Sequence, residues 1–417
     1  MRCACQECIT APVPNESSSA KPRCDVKSFP ADLRTEWRAI FFKNMAKKNI
    51  LITGGAGFVG SHLADDLLEF GYGVRVLDNL APQVHGSGAR KPPYLAPEVE
   101  FIHGDVRDPQ AVAYALKNID SVFHFAAAVG VGQSMYEIVN YTSCNAQGTA
   151  TLLEALANRR VERLVVASSM SIYGEGLYRK RDGSLTEGGE RSVEQLRAHD
   201  WEVRDSNGEP LEPVPTPETK CPALPSVYAI CKYHQERLCL TVGRAYGIEA
   251  VALRFFNIFG TRQALSNPYT GVLAIFASRL LNNKAPLVNE DGKQRRDFVH
   301  VRDVAQACRL ALEVPNLADE VFNIGSGADY SILEIATQIA RAVGKEDTEP
   351  EIIGKCRIGD IRNCFADISR ARTILGYRPR VTLQEGLLEL ADWLEGQIAV
   401  DRVDYAVREL DLRGLAV

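Results

Sequence analysis

Short apolar runs alternate with amphipathic stretches, and a glycine-rich turn lies directly between the first run and the first helix. These observations predict an α/β protein: a doubly wound parallel sheet of Rossmann type with a smaller C-terminal lobe over the sheet's carboxyl edge. Asn49–Thr53 is the first apolar run, Gly54–Gly60 the turn, Ser61–Phe70 an amphipathic helix and Val74–Leu77 the second run. The same texture continues through buried strands at Val99–His103, Ser121–Phe125, Arg163–Ala167 and Val251–Phe255. Helices at Pro109–Lys117, Asn145–Asn158 and Ser226–Tyr246 lie between them. Runs this short and this apolar suit strands covered on both faces.

Residues 1–46 read as a disordered extension with one short helix near Asp32–Phe42, and the sheet domain spans 47–256. Within it, residues 177–225 are rich in Arg, Asp, Glu and Pro and read as a surface insertion with a short helix near Ser192–His199. So long a break in a compact domain is often functional. Residues 257–400 are mainly the smaller lobe, and 401–417 form a tail.

The 417 residues are 46% hydrophobic and 24% charged, with a net charge of -5. That charge gives no basis for nucleic-acid binding, and no apolar run reaches the roughly 18 residues of a membrane span. The N-terminus lacks the apolar segment of a secretory signal. From Cys144 onward the cysteines scatter as buried thiols do, which predicts a cytoplasmic protein. Cys3, Cys5, Cys8 and Cys24 cluster, but the second ligand pair of a zinc site is missing, so no metal is predicted.

The chemistry starts at Gly54-Gly55-Ala56-Gly57-Phe58-Val59-Gly60. Glycine lets the backbone turn tightly and approach a pyrophosphate, and the following helix supplies N–H donors and the positive end of its dipole. Asp78, followed by Asn79, ends the second strand and is suited to a ribose 2′-hydroxyl. A 2′-phosphate would face its charge, so NAD is favoured over NADP. Asp105 and Val106 end the third strand, where a carboxylate reaches the adenine side. Tyr228 and Lys232 lie four residues apart on one helix face. A nearby ammonium and a cationic nicotinamide both favour phenolate and make Tyr228 a usable base. The strand ending in Ser168-Ser169 presents a hydroxyl at the sheet's carboxyl edge.

Together these motifs resemble the extended short-chain dehydrogenase/reductase family of nucleotide-sugar epimerases and dehydratases, from roughly Asn49 to Trp393. Within it the pattern most resembles the 4-epimerases of the dTDP-L-rhamnose type, through Ser169–Tyr178, the long insertion and Val214–Thr219. The resemblance implies that Ser169, Tyr228 and Lys232 are catalytic and that Phe125, Ala126 and Ala127 line the nicotinamide side. It implies that Asn145 supports the active site and the cofactor. It further implies that Asn257, Arg296, Arg357 and Asp360 bind a nucleotide-sugar substrate, and that the chain forms a homodimer. The 47–256 domain then binds NAD and the 257–400 lobe binds substrate.

The implied reaction is oxidation and re-reduction at C4 of a UDP- or dTDP-linked sugar. A dehydratase or decarboxylase, a net oxidoreductase releasing NADH, and a non-catalytic dinucleotide sensor are the rival readings. The resemblance implies that relatives eliminating water carry an aspartate and a glutamate directly after the catalytic hydroxyl, and that decarboxylases carry a glutamate at the second position after it. Met170 and Ser171 stand there instead, and neither is a competent acid or base.

Overall fold

The computed structural model describes residues 48–417. The extension, its cysteines and its expected helix lie outside the described residues. Seven parallel strands form the main sheet: β1 (Asn49–Thr53), β2 (Gly73–Asp78), β3 (Glu100–His103), β4 (Ser121–His124), β5 (Arg163–Ser169), β6 (Glu249–Phe255) and β7 (Glu320–Ile324). Their order is β7-β6-β5-β4-β1-β2-β3. The chain runs outward from β1 to β3, then returns to β1's other flank with β4. The carboxyl ends of β1 and β4 therefore frame the topological switch point, where open α/β sheets bind ligands.

Alternate residues of each strand feed different cores. Ile50 and Ile52 join Val76, Phe123 and Val165 on one face. Leu51 joins Leu77, Val122 and Leu164 on the other. The first face is covered by α1 (Phe58–Glu69) and the second by α2 (Pro109–Ala115), α3 (Gly148–Asn158) and α4 (Val227–Tyr246). The turn before α3, Thr142–Gln147, is π-helical, a distortion that recurs at functional sites.

Two expectations need correcting. First, part of the 257–400 segment belongs with the main sheet and not with the lobe. Helix α6 (Val301–Glu313) packs against α1, where Arg309 Nε donates to Asp66 at 2.7 Å, and β7 pairs with β6 in the main sheet. The Glu-Val-Phe-Asn-Ile sequence of β7 hides a buried asparagine. Asn323 is satisfied by Tyr173, Thr216 and Asp367, all distant in sequence.

Second, the 177–225 insertion is docked rather than a surface excursion. Leu177–Arg179, Leu185–Glu187 and Glu212–Val214 form a small antiparallel sheet, and Val193–Arg197 is the short helix. Gly176 N donates to Asn363 O at 2.8 Å and Thr216 N to Phe365 O at 2.8 Å, stitching the insertion to the lobe.

In the lobe, α5 (Val272–Leu281), α7 (Ile332–Ala342) and α8 (Leu383–Leu394) enclose Phe276, Ile335, Leu387 and Leu390. Capping boxes at Ser331/Glu334 and Thr382/Glu385 start α7 and α8. Helix α9 (Val403–Leu412) occupies the predicted tail.

Candidate active site

A cavity of about 520 Å³ opens at the switch point and runs from the glycine turn across the strand ends to α4. Three glycines meet different demands. Gly54 has φ +70°, and a Cβ there would lie 2.8 Å from Ala126 N; one at Gly60 would lie 2.6 Å from Gly55 Cα. Both are needed for the fold itself. A Cβ on Gly57 would meet only Gly54 O, at 3.3 Å, and Gly57 lines the cavity. Protein packing alone does not demand glycine at 57, whereas a phosphate resting on the N-terminus of α1 does. The turn therefore fits a dinucleotide.

Asp78 is held at the end of β2. Its Oδ2 accepts from Ala56 N at 3.0 Å and its Oδ1 from Leu80 N at 2.9 Å. Two lone pairs remain for a ribose hydroxyl. Asn79 Nδ2 donates to Asp105 at 3.0 Å. Hydrogen bonds from Arg107 hold the Asp105 carboxyl well below the usual carboxylate range. Arg107 is thereby committed to Asp105, which leaves Asp78 to set the charge facing the ribose.

Phe58, Val59, Val106, Phe125, Ala126 and Ala127 complete the cofactor side of the cavity lining. Thr53 Oγ1 accepts the Phe125 and Ala126 amides, both at 3.2 Å. Asn145 is fully buried and stands outside the lining. It grips Ala128 on both sides, accepting from its N at 2.7 Å and donating to its O at 3.0 Å. Its place is that of a support for the wall, not a contact in it.

At the far end, Ser169, Tyr228 and Lys232 all line the cavity. Ser226 caps α4 by accepting from Ala229 N at 3.1 Å, and Tyr228 N donates to Ser134 Oγ at 3.0 Å. Lys232 Nζ donates to Ala167 O at 2.8 Å. Ser168 is committed elsewhere, to Glu236 at 2.6 Å, whereas Ser169 Oγ donates to Ser171 Oγ at 3.1 Å, inside the cavity lining.

Both ionisable groups of the pair feel their burial. Burial pushes Tyr228 up to about 12, with Ser169 pulling back, and burial pushes Lys232 down to about 8. In the protein alone, desolvation outweighs the hydrogen bond from Ser169.

Asn257 lines the substrate side, and its buried Oδ1 has no partner among the described residues. Gln263 shares both properties and went unnoticed in the sequence, since a lone glutamine in a polar loop carries no periodic signal. A buried acceptor left without a donor costs about 1–3 kcal/mol, which a ligand donor removes.

The structure does not bring Arg296, Arg357 and Asp360 into this lining. The Arg296 guanidinium donates to the carbonyls of Arg295 and Arg362, both at 2.9 Å, and to that of Ile361. Arg357 and Asp360 form a two-pronged pair at 3.0 and 3.1 Å. Burial alone would raise the Asp360 carboxyl; Arg357, then Arg296, pull it below its usual range. The pair lines a small adjoining hollow that shares Val131 with the main cavity.

A model of the NAD dependent epimerase/dehydratase family matches residues 50–194 and 206–325. The chain is 34% identical over 360 residues to a dTDP-L-rhamnose 4-epimerase of Burkholderia thailandensis, covering 84% of this chain and 96% of that one. It is 32% identical to a putative UDP-glucose 4-epimerase of Methanocaldococcus jannaschii over 83% of this chain and 98% of that one. Among solved structures, UDP-glucose 4-epimerase of Thermotoga maritima with UDP-glucose aligns with a TM-score of 0.67 at 32% identity, covering 83% of this chain and 98% of that one. The Thermus thermophilus UDP-glucose 4-epimerase complex with NAD aligns at 0.66 and 32%, covering 84% and 100%.

Proposed function

The chain belongs to the NAD dependent epimerase/dehydratase family, with NAD as its cofactor, and from that premise we propose that it inverts C4 of a UDP- or dTDP-linked sugar. The observation that carries the reading is the meeting of Ser169, Tyr228 and Lys232 at one end of a cavity whose other end is the glycine turn. Bound NAD supplies a reversible hydride acceptor and, when oxidised, a positive charge.

Tyr228, as phenolate, takes the 4-hydroxyl proton while Ser169 donates a hydrogen bond to the same oxygen. Lys232 adds positive charge beside the phenol and a donor for the cofactor ribose. The 4-keto sugar turns about its diphosphate link, and Tyr228 returns the proton after the opposite face is reduced. Asn257 and Gln263 offer their free acceptors to substrate hydroxyls, and Arg357 offers its charge to the diphosphate.

Epimerisation rather than elimination is favoured by Met170 and Ser171 beside the catalytic hydroxyl. The nearby Glu175 is tied down, accepting from Arg362 N at 2.6 Å, Asn363 N at 3.0 Å and Tyr178 OH at 2.6 Å. A homodimer in the cytoplasm belongs to the same proposal. Ile138, Val139 and Ile230 stand 50%, 80% and 52% exposed, an apolar surface suited to a second copy. Free thiols such as Cys231 and Cys239 suit a reducing compartment.

The test is incubation of the holoenzyme with UDP-, dTDP- and GDP-sugars, followed by mass and stereochemical analysis. An isomer of unchanged mass is expected from a UDP- or dTDP-sugar. Loss of water or carbon dioxide, or stoichiometric release of NADH, would assign the chain to a rival class.

A further inference from the structure

Where the insertion meets the lobe, charged side chains are buried together. Arg191 belongs to the insertion and its side chain is 3% exposed. It donates to Glu290 Oε1 at 2.9 Å and to the carbonyl of Asp360 at 3.1 Å. Glu290 takes Arg362 on its other oxygen at 2.9 Å, and Arg362 also reaches Asp291 at 2.6 Å and Glu202 at 2.7 Å. Glu290 itself has φ +51°, a backbone that a residue with a side chain keeps only where its surroundings hold it.

The same segment is braced from a second side. A Cβ at Gly359 would lie 3.0 Å from the carbonyl of Pro225, the residue before the cap of α4. Arg357–Asp360 is thus bracketed by the insertion at Arg191 and by its last residue at Pro225. The catalytic helix begins immediately beyond.

We propose that Arg191, anchored through Glu290 and Arg362, is a positioning residue for substrate binding. It holds Arg357–Asp360 against the start of α4, so that Arg357 meets a nucleoside diphosphate with its orientation already set. The inference rests on the nucleotide-sugar reading above. A segment ordered before the ligand arrives loses less freedom on binding, so affinity depends on Arg191 while proton transfer at Tyr228 does not.

The experiment compares the wild-type holoenzyme with Arg191→Met, Arg191→Lys, Arg357→Ala and the Arg191→Met/Arg357→Ala double variant. Binding of UDP and dTDP is measured by calorimetry, and KM and kcat on the sugar that is turned over. Arg191→Met is expected to weaken nucleotide binding and raise KM by about tenfold, with kcat and bound NAD within about twofold of wild type. Arg191→Lys keeps a buried charge beside Glu290 without the planar fork and is expected to weaken binding by about threefold. In the Arg357→Ala background, Arg191→Met should add little, because the two act as one unit.

Wild-type affinity in either folded Arg191 variant, or an undiminished tenfold loss in the Arg357→Ala background, overturns the inference and leaves the substrate reading intact. A wild type that binds neither nucleotide overturns both.

Discussion

Tyr228→Phe removes one oxygen from the end of the cavity and leaves the rest of the helix turn in place. The ring still meets Tyr141 edge-on, with centroids 6.5 Å apart, and the Tyr228 amide still reaches Ser134. Loss of the hydroxyl therefore costs no more than about 1 kcal/mol of stability. Catalysis should respond very differently. Burial pushes the phenol up to about 12, so at about pH 8 the protein alone ionises roughly one tyrosine in ten thousand. Bringing the base into its working range takes about 5 kcal/mol of favourable charge, at about 1.4 kcal/mol per unit. The Lys232 ammonium and the positive charge of oxidised NAD are the charges that would supply it.

A positioned general base contributes about 10²–10⁴ in rate, and kcat should fall by that factor in the variant. NAD content, read spectroscopically after denaturing the purified protein, should match wild type. The sign of the pH effect follows from the same group. The base acts when deprotonated, so wild-type turnover rises with pH along the acid limb, and the variant loses that limb. Turnover within about threefold of wild type in a cofactor-loaded variant would refute the assignment.

Two glycines of the turn should separate cofactor binding from folding. Gly57→Ala is expected to fold with less than about 1 kcal/mol lost and to weaken NAD by at least about tenfold, measured by dissociation constant. Gly60→Ala forces a Cβ to within 2.6 Å of Gly55 Cα and should lower stability by about 1–3 kcal/mol in denaturant unfolding; equal behaviour of the two variants would disprove the distinction. Asp78→Ala is expected to narrow the preference for NAD over NADP, and also to lower the melting temperature because the Ala56 and Leu80 amides lose their acceptor. A wild type that binds NADP more tightly at equal ionic strength would show that Asp78 does not select the cofactor.

The fold was legible where its signals are local. A strand covered on both faces is a short apolar run whatever lies above it, so β1, β2, β4, β5 and β6 could be read directly. The glycine turn requires only the strand before it and the helix after it. Tyr228 and Lys232 share a face because four residues make about one helical turn. Strand β7 escaped notice because Asn323 interrupts its apolar pattern, and only partners from three distant segments make that asparagine tolerable inside the sheet.

The sequence by itself therefore determined the sheet's type, the dinucleotide turn and the pairing of base and lysine, all of which depend on neighbours within a few residues. Tertiary structure alone decided the rest. It turned the insertion from a loop into a brace against the lobe and closed the Arg296 guanidinium onto backbone carbonyls. It left two residues of the cavity lining, Asn257 and Gln263, each with a buried side-chain oxygen that has no partner among the described residues. It also set how deeply the Tyr228 phenol is buried, since desolvation depends on every atom packed around the ring and not on the residues the sequence places near it.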